Sequence, residues 1–189
     1  MDDGSTNSKE NKKESQDRIA SGSDMEQRVR SHFSRYTLTH YTVTELITMA
    51  SAIERMAPGK NPMDLAGFMD WATGRLLGRL EQLPGMPNES ELFPLGLMGI
   101  NETSKNYYGS QFHELAPAQR DVVLRSIEDG VAPGSIWQRI PSDYFYRRFY
   151  TKVLHGLFAE QKEWTRIGIL RSADPTDRKR SAQPFLQIT

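Results

Sequence analysis

Helix start and stop signals bracket one apolar stripe after another along this chain. In TVTELITMASAIERMAPG, Thr42 and Glu45 stand at the spacing of a capping box, in which each side chain caps the other residue's backbone N–H. Val43, Leu46, Ile47, Ala50, Ile53 and Ala57 then recur every three or four residues, which places them on one helix face. Pro58-Gly59 ends that helix. Asn61-Pro62 opens the next, with Asn at the cap and Pro at the first helical position, where its missing N–H removes no hydrogen bond. Leu65, Phe68, Met69, Ala72, Leu76, Leu80 and Leu83 continue as one stripe, predicting a single helix that stops at Pro84-Gly85.

The remaining segments extend the pattern. Ser23–Tyr36 predicts a short helix with Met25, Val29, His32 and Phe33 near one face. TLTHYT follows as extended or irregular chain. Ser90 to Met98 is apolar and predicts a helix from near Leu92 towards Tyr108, with Pro94, Gly96 and Gly99 as candidate breaks. Pro117 starts another helix, with Ala118, Val122, Val123 and Ile127 facing inward and Gly130 as its left-handed cap. Val131–Pro141 reads as a loop or short turn. The last long helix is PSDYFYRRFYTKVLHGLFAEQ. Phe145, Phe149 and Val153 form one row, Tyr150, Leu154 and Phe158 the next, and Arg147, Arg148 and Lys152 stand opposite. No alternating run is long enough for a sheet, and no repeat is present. The expected fold is all-α, a compact bundle of about five or six helices.

A chain of 189 residues with 37% hydrophobic content supports one core, here assigned to residues 25–170. The mean hydropathy of −0.62 requires a well-solvated remainder. Residues 1–24 hold almost nothing to bury and are expected to be a disordered tail, and 171–189 an irregular C-terminal segment. The tail lacks the apolar stretch of a secretory leader, and no run approaches the roughly 18 apolar residues of a membrane span. The expected location as written is therefore cytoplasmic.

The chemistry-bearing residues form no recognisable set. Cysteine is absent, which excludes disulfides, thiolate metal sites and thiol nucleophiles. The histidines are His32, His40, His113 and His155, and none stands at helical ligand spacing from another. Gly96, Gly99 and Gly109 lie in no strand-to-helix context that would cradle a phosphate. Asp64, Asp70, Glu81 and Asp121 read as exposed or capping carboxylates. A net charge of zero argues against a nucleic-acid surface, although Arg147-Arg148 keeps that reading open. The expectation is no catalytic, cofactor-binding or metal-binding residue in this chain. What stands out instead is aromatic content. Most of these rings should be core, but aromatic side chains also anchor interfaces. The candidate partner-interface residues are Tyr107, Tyr108, Phe112, Tyr144, Tyr146, Tyr150 and Trp164.

From Thr39 to about Gly168 the chain resembles the gluconate 2-dehydrogenase subunit 3 family. The resemblance is carried, in order, by TVTELITMASAIERMAP, GFMDWATGRL, YYGSQFHELAPAQRDVVLRSIEDG, YFYRRFYTKVLHGLF and EWTRIGI, where Trp164 precedes Ile167-Gly168. The resemblance implies a non-catalytic small subunit of a bacterial FAD-dependent gluconate or sugar dehydrogenase. Such a subunit assists stability, maturation or export of the catalytic subunit. It implies FAD, and haem where a cytochrome c subunit is present, in the partners only. Two departures stand beside it. The family's usual N-terminal export signal is missing, so a periplasmic or membrane-associated place would require co-export with a partner. The Gly-Asn-rich link before the final Trp is missing too, and Phe158 reaches Trp164 through AEQKE alone. A stand-alone helical ligand binder or enzyme, and a helical DNA-binding regulator, remain the alternative readings.

Overall fold

The protein is described by a computed structural model over residues 23–34, 36–73 and 83–158. Among these residues there are six α-helices and no strand: α1 (23–33), α2 (Val43–Met56), α3 (Pro62–Ala72), α4 (Glu89–Tyr108), α5 (Pro117–Glu128) and α6 (Ser142–Phe158). Short 3-10 turns at Phe112–Glu114 and Ile136–Gln138 punctuate the connections. The all-α expectation holds. Residues 1–22 and 159–189, which hold most of the expected N-terminal tail, the end of the last expected helix and the C-terminal segment 171–189, lie outside the described residues, and α1 begins at residue 23, where the Ser23–Tyr36 helix is expected to start.

The local signals act as their chemistry dictates. Thr42 N–H donates to Glu45 Oε2 at 2.7 Å, and Glu45 N–H to Thr42 Oγ1 at 3.3 Å, so the capping box of α2 is complete. Asn61 Oδ1 accepts from Met63 N–H at 3.1 Å and starts α3. At the end of α5, Val131 N–H reaches back to Ser126 O at 3.0 Å while Gly130 takes φ +76°, which is the Schellman ending that favours glycine.

Two helix boundaries differ from expectation. The single helix to Leu83 is not found, because α3 stops at Ala72. Thr73 adopts extended backbone, and its hydroxyl bonds to Met69 O and Tyr41 Oη at 2.7 and 2.8 Å. The second of these bonds ties the end of α3 to Tyr41, and residues 74–82 lie outside the described residues. Conversely, α4 runs unbroken through Pro94, Gly96 and Gly99. Pro94 removes one helical hydrogen bond, at a cost of about 3 kcal/mol. Complete burial of Leu92, Phe93, Leu97 and Ile100 offsets it, at about 1.5–3 kcal/mol each.

The glycines of α4 explain that packing. α4 and α6 run antiparallel in register: Glu89 meets Lys152, Phe93 meets Phe149 edge-on at 5.8 Å, and Gly96 faces Phe145. A Cβ on Gly96 would fall 2.0 Å from the Phe145 ring, and one on Gly99 2.5 Å from the Trp137 ring. These positions read as helix breakers in sequence, and in the fold they admit aromatic rings. α3, α4 and α5 each pack against both α2 and α6, enclosing one core.

Candidate partner-binding surface

The seven aromatic residues singled out in the sequence separate into three groups. Phe112 and Tyr144 are core residues, 0% and 7% exposed, so neither offers a free face to a partner. Phe112 is drawn in because its turn is clamped from above: its N–H donates to Asn101 Oδ1 at 3.1 Å, and Asn101 Nδ2 donates onward to Thr48 on α2 at 2.8 Å. Tyr144 takes the same place in the first turn of α6, with the Arg148 guanidinium 5.8 Å above its ring. Trp164 lies outside the described residues.

The other four remain accessible, as two contacting pairs. At the end of α4, Tyr107 and the half-buried Tyr108 meet edge-on at 6.0 Å. On α6, one helical turn apart, Tyr146 and Tyr150 stack at 6.2 Å with planes 13° apart. Tyr107 and Tyr150 are exposed. Burial, with Glu128 of α5 adding to it, pushes the Tyr146 phenol up to about 12, so it stays a neutral donor at any physiological pH. Leu154 and the strongly exposed Phe158 continue this row at four-residue spacing.

The two rows of α6 part company in the fold, and Lys152, expected opposite them, turns inward. Phe145, Phe149 and Val153 are fully buried, but Tyr150 and Phe158 are exposed, and Lys152 takes their place inside. Its Nζ lies 2.9 Å from Glu89 Oε2, and Arg148 approaches the same carboxylate at 3.9 Å. α5 is turned in the same sense. Ala118 and Val122 are exposed, while Arg120 is 1% exposed and holds Leu115 O and Glu54 Oε2, both at 2.9 Å. Burial lowers the Arg120 guanidinium below its ordinary value, and Glu54 opposes that shift.

The carboxylates are committed to structure. Asp70 is expected from sequence at an exposed or capping position. It is buried instead, accepting from the backbone N–H groups of Thr39, His40 and Tyr41 at 2.9–3.0 Å and from the Thr39 hydroxyl at 3.0 Å. It thereby pins the irregular segment before α2. Asp121 forms a two-pronged pair with Arg55 at 2.8 and 2.9 Å, and that hydrogen bonding lowers its carboxyl. Glu102 accepts from Ile136 N–H at 3.0 Å and from Ser135 N–H and Oγ at 2.9 and 2.8 Å, capping the second 3-10 turn. Those donors, Ile136 first, hold its carboxyl below the usual range. Trp137 Nε1 completes the dock by donating to Thr103 Oγ1 at 2.8 Å. Sequence reasoning missed Asp70, Glu102 and Arg120 because each partner set lies 5 to 66 positions away. Glu81 lies outside the described residues.

Among the described residues no three His, Asp or Glu side chains come together to hold a metal ion, and no helix is long and apolar enough to cross a membrane. His113 is half-buried and held below its ordinary value by that burial, against the opposing charges of Glu114 and Glu26. His155 is exposed. What the described surface presents is aromatic area on a rigid helical frame.

Comparison with curated proteins and with solved structures gave no match. The sequence pattern of one family, described as gluconate 2-dehydrogenase subunit 3, matches residues 38–169, well over half of the chain. That span takes in α2 to α6, both 3-10 turns and Trp164. The chain belongs to the gluconate 2-dehydrogenase subunit 3 family.

Proposed function

We propose that this chain is the non-catalytic small subunit of an FAD-dependent gluconate or related sugar dehydrogenase. It binds the catalytic subunit and supports that subunit's stability, maturation or export. The family match over residues 38–169 carries this reading. Flavin, and haem where a cytochrome c subunit takes part, belong to the partners. The docking surface is the accessible tyrosine pairs, Tyr107–Tyr108 and Tyr146–Tyr150, because tyrosine combines a large rigid apolar face with a polar tip. The engagement of Asp70, Asp121 and Glu102 in structural hydrogen bonds supports a scaffolding role. A partner that binds only the folded catalytic subunit stabilises it by mass action.

The test is co-expression with the catalytic subunit of an FAD-dependent gluconate or sugar dehydrogenase from the same organism. The expected result is co-purification as a complex, with higher yield and flavin content of the large subunit than when it is expressed alone. Absence of a complex, together with a fully flavin-loaded and active large subunit made alone, overturns the proposal.

A further inference from the structure

α1 stands outside the family match, which begins at residue 38, yet it is packed into the same core. Met25, Val29 and Phe33 are 2%, 0% and 5% exposed. Its polar ties to the body are slight. Arg28 reaches Glu54 of α2 at 3.5 Å with both side chains more than a third exposed, a pair that adds little. Arg28–Asp24 and Arg30–Glu26 close within α1 itself. α1 is thus an added helix held by one apolar stripe.

At the end of that stripe is His32. Its ring stacks on Tyr36 at 5.4 Å and meets Phe33 edge-on at 4.8 Å. Its Nε2 is sealed from solvent and has no hydrogen-bond partner among the described residues. A neutral imidazole tolerates this position, because an unprotonated ring nitrogen needs no acceptor. A protonated one places a charged N–H where no described group is within hydrogen-bond reach. The charged group facing it from α3 is Asp64, whose attraction is outweighed by burial, so His32 is held below its ordinary value of 6.5. On α1, Arg28 stands one turn before it, with its guanidinium held by Asp24 and Glu54 at 3.6 and 3.5 Å. Near the helix's other end, Glu26 is a charged neighbour of His113, which is held low by burial in the same way, with Glu114 and Arg120 beside it.

We propose that α1 is an acid-released clasp: protonation of His32 undocks this helix and uncovers the apolar face of the family domain beneath Met25, Val29 and Phe33. The sign follows from linkage. A histidine whose folded-state value is lowered leaves the undocked form binding more protons, so docking is complete above 6.5 and weakens as pH falls from there to the folded-state value. The weakening is at most about tenfold per pH unit for one group.

The test is hydrogen exchange of the full chain between pH 7.5 and pH 5 (about two and a half units of proton activity), corrected for intrinsic exchange rates. Protection across 23–33 should fall several-fold on acidification while α2 to α6 keep theirs. His32→Phe, which keeps a stacking ring and cannot titrate, should hold α1 protected throughout, and His32→Leu serves if the larger ring is not accommodated. Three outcomes overturn the proposal: α1 protection independent of pH, the same fall in the His32 variants, or loss of protection across the whole domain together.

Discussion

Lys152 Nζ lies 2.9 Å from Glu89 Oε2 with both side chains sealed from solvent, tying the middle of α6 to the first residue of α4. Glu89 serves three roles there. It pairs with Lys152, it neighbours Arg148 at 3.9 Å, and it sits at the positive end of the α4 dipole. Breaking a buried ion pair by removing one member costs about 3–5 kcal/mol. Glu89→Leu should show that full loss in urea unfolding, and Lys152→Met measurably less, because Glu89 then keeps Arg148. Equal losses, or the reverse order, would contradict this account.

Gly96 offers a test with an unusual sign. Gly→Ala inside a solvated helix gains about 1 kcal/mol. Here the new methyl would fall 2.0 Å from the Phe145 ring. Gly96→Ala is therefore expected to lower stability by about 1–3 kcal/mol, the range for overpacked cores. A rise in the melting temperature would show that the ring yields freely.

Asp70 binds four donors from Thr39, His40 and Tyr41. Asp70→Ala orphans three backbone N–H groups and should destabilise the domain by about 2–4 kcal/mol, more than a single hydrogen bond is worth. Exchange of the amides of residues 39–41 is expected to accelerate first. Unchanged exchange there would mean that the segment is held by other contacts.

Glu102 gives an acid dependence of known direction. Its folded-state value is depressed below 4.5 by the N–H groups of Ile136 and Ser135. The stability that it contributes is therefore complete above 4.5 and lost as pH falls through the folded-state value. Emission from Trp137, which docks beside it on Thr103, reports the release of the 131–141 loop. The wild-type transition should disappear in Glu102→Gln. A transition that persists in the variant assigns it to another group.

Tyr107 and Tyr150 separate docking from folding. Tyr150→Ala and Tyr107→Ala, at exposed positions, should change stability by no more than about 0.5 kcal/mol. If the tyrosine pairs are the docking surface, one or both should weaken capture of the catalytic subunit by about thirtyfold, the effect of a 2 kcal/mol anchor. Phe112→Ala is the counter-case and should cost about 3–5 kcal/mol of stability, because that ring belongs to the core. Undiminished capture by the Tyr107/Tyr150 double variant would remove this surface from consideration.

Helix identity was largely legible in the chain. The Thr42–Glu45 box, Asn61-Pro62 and Gly130 act through bonds spanning five residues or fewer, so local chemistry fixes them whatever packs nearby. The accessible tyrosines were legible only as a mixture with buried ones. Phe112 and Tyr150 are both aromatic on helical spacing, and nothing local tells the clamped ring from the free one.

By itself the sequence determined an all-helical chain, its caps and its membership of a subunit family, because caps, periodicity and motif order are properties of neighbouring residues. The tertiary structure decided which way each helix turns: Lys152 and Arg120 inward, Val122 and Tyr150 outward, Gly96 and Gly99 beneath rings. The physical reason is distance along the chain. A polar side chain is buried only when a partner neutralises it, and Lys152 finds Glu89 across 63 positions, a relation that only the folded chain creates.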